Sequence, residues 1–199
     1  MTGKVVKPVV EKVVPQSSLY FDTETLSLNP YHVNARMVLA QFGKEINGVF
    51  TSRVFKEWEL GEVNLIKCVC TELMQSAKYT PVFTYNGLFD ILHVTGRMDM
   101  LGFPKDAIGD FLSVFTGIVK HCDMLQFDNG YFVSLDKICD HHNIYAECEY
   151  SGRDIYKLYQ EEKFDDIVAH GVDDIKRLYK LVKDTTLSDR FLNISVLGN

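Results

Sequence analysis

Residues 19–25 read Leu19-Tyr20-Phe21-Asp22-Thr23-Glu24-Thr25, an apolar and aromatic run that passes into two acids. The run predicts a buried first strand ending near Thr23. Asp22 and Glu24 are two apart, so on a strand both side chains point to the same face. Side by side, two carboxylates repel and raise each other's pKa. A divalent cation relieves that repulsion, and hard oxygen donors select magnesium or manganese over zinc. Alone, the pair also fits a strand end carrying two solvated acids, so the rest of the chain has to decide.

Outward from this strand, Leu26 to Asn34 reads as a loop with an Asn29-Pro30 turn. Met37 to Phe42 and Val49 to Val54 read as strands two and three. The Asn47-Gly48 pair between them is a strong hairpin signal, so the first three strands are expected to form an antiparallel meander. Glu62 to Tyr79 carries a helical apolar period through Val63, Leu65, Ile66, Val69, Leu73 and Ala77. Pro81 to Thr84 reads as a short buried strand, with a helix from Phe89 to about Met98. Residues 99–117 are apolar but irregular, and fit either a cover over the core or an apolar wall beside a channel. Ile118 to Leu125 gives a fifth strand. Ser134 is placed to cap a helix over Leu135 to His142. A further helix is expected from Ser151 or Gly152 to Gln160, and a long one from Phe164 to about Lys183. This order predicts an α/β fold with a mixed sheet.

Composition bounds the alternatives. The 199 residues are 46% hydrophobic, enough for one full core and little for two. The expected division is therefore an extended arm at 1–17, where Pro8 and Pro15 disfavour an interior strand, and a single domain over 18–199. The net charge of −6 excludes a protein that grips nucleic acid by bulk positive charge alone. No apolar stretch is long enough to span a bilayer, and the N-terminal residues lack a signal-peptide layout. Cys68, Cys70, Cys122, Cys139 and Cys148 are odd in number and show no framework spacing, which predicts an intracellular, reducing setting. Cys122, Cys139, His142 and Cys148 match no compact zinc module and read as free cysteines.

Two further acids stand out. In Tyr85-Asn86-Gly87-Leu88-Phe89-Asp90, Asp90 falls in the first turn of a helix that follows a strand, where ligands of α/β sheets bind. Asn86 is a candidate cap for that helix. In Ala169-His170-Gly171-Val172-Asp173-Asp174-Ile175, helical phase sets Phe164, Val168, Gly171, Ile175, Leu178 and Val182 on a buried stripe. Asp174 falls at the stripe's edge with His170 one turn before it, whereas Asp173 falls opposite and is expected to be solvated.

These three segments, Phe21 to Thr25, Asn86 to Asp90 and His170 to Asp174, resemble the three exonuclease motifs of the DEDD superfamily. The similarity is greatest to the 3′–5′ proofreading exonuclease domain of family-B DNA polymerases. His121-Cys122-Asp123-Met124-Leu125 and Val133-Ser134-Leu135-Asp136-Lys137-Ile138-Cys139 resemble two intervening elements. The likeness spans residues 18–183. It implies a ribonuclease H-like fold with a mixed five-stranded sheet flanked by helices. It also implies two divalent cations, Mg2+ or Mn2+, held by Asp22, Glu24, Asp90 and Asp174, with His170 acting on the attacking water. In one branch of the superfamily a tyrosine precedes the last aspartate by four, in the other a histidine by five. This chain has a histidine at the tyrosine spacing.

The activity so implied is 3′–5′ hydrolysis of single-stranded nucleic acid, DNA before RNA. Leu26, Tyr85 and Phe89 are expected to stack on or wedge the terminal bases, with Thr25 and Asn86 beside them. Arg153 and Lys157, one turn apart on a helix, are candidates for phosphate contacts. A polymerase or another replication or repair protein is an expected partner. A silent nucleic-acid-binding module and a structure-selective endonuclease are the competing readings.

Overall fold

A computed structural model describes residues 17–76, 81–113, 115, 121–128 and 131–184. The centre is β1 (Ser17–Thr25), whose residues from Ser18 to Phe21 are buried. It pairs antiparallel with β2 (Met37–Ile46), which pairs antiparallel with β3 (Val49–Lys56). Asn47 and Gly48 turn that hairpin with φ of 52° and 80°, the left-handed geometry a two-residue loop requires. On its other side β1 runs parallel to β4 (Val82–Thr84), and β4 parallel to β5 (His121–Asp123). Among the described residues the sheet order is β3-β2-β1-β4-β5, the expected mixed five-stranded sheet.

Alternation along β1 divides the core between the two faces of the sheet. Leu19 and Phe21 pack with Ala40 and Phe42 against α2 (Glu62–Ser76), α3 (Gly87–Met100) and α4 (Lys105–Ser113). Tyr20 points the other way, to Ile175, Leu178 and Leu181 of α7 (Phe164–Lys183) and Ile138 of α5 (Leu135–His141). A third cluster joins Val38 and Leu39 to Ile167 and to Ile155 and Leu158 of α6 (Ile155–Gln160). α7 lies close on β2 because two glycines leave room. A Cβ on Gly171 would come within 2.8 Å of Leu39, and one on Gly43 within 2.7 Å of Ile175.

Several expectations change in detail. A one-turn helix α1 (Glu57–Leu60) and a separate hairpin of β6 (Gln126–Asp128) and β7 (Tyr131–Val133) were not anticipated. The irregular apolar stretch contains α4, and Phe111 and Phe115 are buried in the core with α2 and α3, so it covers the core. The helix expected from Ser151 begins only at Ile155. Before it, the Ser151 amide and hydroxyl donate to the Asp154 carboxylate at 2.9 Å, a local turn that competes with the helix. Ser134 caps α5 as expected, accepting from the Lys137 amide. The N-terminal arm lies outside the described residues, apart from Ser17, which opens β1. The cysteines form no disulfide among the described residues, and no metal-ligating group among those residues includes them. No helix among the described residues is long and apolar enough to cross a membrane.

Candidate active site

Asp22 and Glu24 leave β1 on the face that Tyr20 shares, toward α7, while Thr23 leaves on the opposite face, toward α3. The site therefore assembles around the end of one strand from both sides of the sheet. Next to Glu24 the β1–β2 register shifts: Glu24 pairs with Leu39 but Thr25 with Met37, so Val38 is bulged out. Such a bulge ends regular pairing and re-aims the strand end.

Each acid has a holder. Gln41 is the register partner of Asp22, and its side-chain amide donates to Asp22 and, at 3.1 Å, to Glu24. Thr23 Oγ1 donates to Asp90 Oδ1 at 2.6 Å, tying α3 to β1. Asp174 comes from the middle of α7 and accepts from Arg177. His170, one turn earlier and buried, sets Nε2 3.7 Å from Glu24 and Nδ1 3.7 Å from Asp174. That Nδ1 has no hydrogen-bond partner among the described residues.

The electrostatics follow from burial and crowding. Burial, with the charges of Asp90 and Asp174 added, holds Asp22 well above the carboxylate range. Glu24 is likewise held high by burial and by Asp22 and Asp174. Burial lifts Asp90 to about 7, against the opposing hydrogen bonds of Thr23. Asp174 is also raised by burial, although His170 and Arg177 pull it back. Four mutually repelling acids and an orphaned imidazole nitrogen form a pocket short of positive charge. The ligand atoms of Glu24, His170 and Asp174 lie within 4.8 Å of one another, near enough to share one cation. Hard carboxylate oxygens fit a divalent ion of the magnesium type.

Helical phase set Asp174 beside His170 and Glu24, as the structure has it, but misjudged its neighbour. Asp173 is buried, not solvated: it accepts from the Glu147 and Cys148 amides at 3.2 and 3.5 Å and lies 3.3 Å from Arg177 Nε. The loop before α6 covers that flank of α7, and a cover supplied from elsewhere leaves no trace in the helix period.

The nucleic-acid candidates divide. Phe89 is half-buried and lies against His93, whose Nε2 meets the Ser27 carbonyl at 2.8 Å. Leu26 is half-buried against the third cluster, and Thr25 donates to the Ser27 carbonyl. Tyr85 is not placed to stack on a base: its ring is buried and its hydroxyl donates to the Val133 carbonyl at 2.5 Å. Asn86 does not cap α3 with its side chain. It adopts φ of 62°, and its amide donates to Asp123 Oδ1 at 2.8 Å. Arg153 is exposed but sits in the turn before α6, while Lys157 on that helix is 3.9 Å from Glu161. Sequence reasoning missed Thr23, Gln41 and Arg177. Gln41 had a signal, a lone amide within the apolar run from Met37 to Phe42.

No family model matches the sequence, and no match is found among curated proteins. Solved structures do match. The family B DNA polymerase from the hyperthermophilic archaeon Pyrobaculum calidifontis superposes with a TM-score of 0.59 at 14% identity, over 85% of this chain and 24% of the polymerase. The fold is ribonuclease H-like. A product-bound exonuclease I aligns over 85% of this chain and 44% of its own, at 14% identity and a TM-score of 0.48. This chain thus spans about a quarter of the polymerase and under half of the exonuclease. In this ribonuclease H-like sheet Asp22 and Glu24 stand at the carboxyl end of β1 and Asp90 just beyond that of β4, while Asp174 comes from α7.

Proposed function

We propose that this protein is a divalent-metal-dependent 3′–5′ exonuclease acting on single-stranded nucleic acid, with DNA favoured over RNA. The observation that carries this reading is the gathering of Asp22, Glu24, Asp90 and Asp174 from β1, α3 and α7 into one mutually repelling set beside His170, with Glu24 and Asp90 buried and Asp22 and Asp174 half-buried. In this reading the four carboxylates hold two ions, Mg2+ or Mn2+. When bound, these ions neutralise charge on the scissile phosphate and stabilise its attacking and leaving oxygens.

The chain's own residues do the rest. Gln41 keeps Asp22 and Glu24 together, and Thr23 keeps Asp90 against β1. His170 accepts the proton of the attacking water on Nε2. Phe89 and Leu26 form an apolar edge for the terminal base, and Arg153 offers a positive charge for the phosphates upstream. A polymerase or repair protein is the proposed partner, and the compartment is intracellular.

The test is incubation with 3′- and 5′-labelled single-stranded DNA and RNA, with Mg2+ or Mn2+. Single nucleotides released from the 3′ label are the expected product, and a covalently closed single-stranded circle should stay intact. A linearised circle would move the protein to the endonuclease class. Binding without cleavage under either metal would leave only a binding module.

A further inference from the structure

Beside His170, Arg177 is the basic side chain that contacts Asp174, and it is only 4% exposed. Its guanidinium reaches three carboxylates. Nη1 donates to Asp136 Oδ1 at 2.6 Å, Nη2 donates to Asp174 Oδ1, and Nε lies 3.3 Å from Asp173 Oδ2. Asp173 is itself fixed by the Glu147 and Cys148 amides. Asp136 belongs to the first turn of α5 and is 62% exposed. Nε makes no hydrogen bond among the described residues, so Asp173 acts on the guanidinium as a neighbouring charge. A planar guanidinium hydrogen-bonded to two carboxylates and ion-paired with a third has little freedom to swing, which restricts the direction of the carboxylate it grips. Both Arg177 and His170 approach Asp174 through Oδ1. Neither contact uses Oδ2.

We propose that Arg177 is a positioning residue for the cation site: braced by Asp136 and Asp173, it clamps Oδ1 of Asp174 so that Oδ2 is presented to a divalent ion. The inference rests on Asp174 being a ligand. Groups that orient a metal-binding side chain typically cost 10- to 100-fold in metal affinity when removed, and about 10-fold is the expectation here.

The experiment is calorimetric titration of the full, metal-free chain with MnCl2, without substrate. The proteins are wild type, Arg177→Lys, Arg177→Gln and Asp136→Asn. Arg177→Gln should bind Mn2+ about 10-fold more weakly. Arg177→Lys keeps the charge but cannot span three carboxylates, so it should fall in between. Asp136→Asn alters an exposed side chain and leaves the fold intact. It removes one brace but leaves Arg177 on Asp174, so it should weaken binding by less than the roughly 10-fold expected of Arg177→Gln. If Arg177→Gln does not fold, Asp136→Asn and Arg177→Lys carry the test. Wild-type Mn2+ affinity in these variants, or tighter binding once the competing cation is gone, overturns the inference alone. A wild-type chain that binds no Mn2+ overturns the proposed site and the inference together.

Discussion

Asp90→Asn isolates the cost of keeping this pocket charged. Asparagine keeps the side chain's shape and an oxygen for Thr23 Oγ1, but removes the ionisable group. Burial raises Asp90 from 3.8 to about 7, so between those values the folded protein keeps a proton that the unfolded chain has released. The stability linked to this group is full below about pH 3.8 and is lost as pH rises through about 7. Each tenfold change in proton affinity is worth about 1.4 kcal/mol, so the loss is about 4 kcal/mol above pH 7 and about 1–2 kcal/mol at pH 5. These are upper figures, because the amide accepts a weaker hydrogen bond than the carboxylate.

For a chain of this length the variant should melt on the order of 10 °C above wild type at pH 8 in EDTA. The gap should narrow at pH 5. Removing this charge also relieves Asp22, which Asp90 holds high. The assay is calorimetric or circular-dichroism melting at both pH values, with and without MgCl2. Magnesium should stabilise wild type more than the variant. A variant no more stable than wild type at pH 8 in EDTA, or a gain equal at both pH values, refutes the reasoning.

Asp22→Ala, Glu24→Ala and Asp174→Ala should each abolish cleavage in the labelled-strand assay while the fold persists. Asp173→Ala should instead keep turnover at saturating metal, with a higher metal requirement because Arg177 loses a brace, and lose about 1–3 kcal/mol of stability through its unpaired amides, read by urea denaturation. A dead but stable Asp173→Ala would reverse the choice between the two. His170→Ala should slow hydrolysis by about 10²- to 10⁴-fold, and His170→Tyr should recover much of it if the residue only positions water. A His170→Ala variant near full activity removes His170 as the base. Gly171→Ala should lower both activity and melting temperature, because its Cβ would come within 2.9 Å of the Gln41 amide that holds Asp22 and Glu24. Full activity in that variant would mean Gln41 yields freely.

What could be read from the sequence is what depends on short-range periodicity. Asn47-Gly48 specified its hairpin because few other residues tolerate two left-handed positions. The alternation at Asp22-Thr23-Glu24 and the phase of α7 placed Glu24, His170 and Asp174 together. Burial supplied by distant chain was not legible. Asp173 and Tyr85 are buried by loops and by the β6–β7 hairpin, neither of which marks the residue it covers. Asn86 also fits a capping position by residue type, but Asp123 draws its backbone amide and holds it left-handed. Arg177 looked like any polar helix residue until its three acids, two of them on α7 and one on α5, were seen around it.

Asp90 and Asp174 are delivered by helices that rest on opposite faces of one sheet, each seated in its own apolar layer. Their separation is consequently a gauge that neither layer controls alone. A side chain trimmed beneath α3, such as Val94, and one trimmed beneath α7, such as Leu181, would move opposite jaws of the same calliper. A site spanned this way keeps its width under drift in one layer only while the other follows. Paired substitutions across the sheet are therefore where variation in such a site can accumulate without loss of its span.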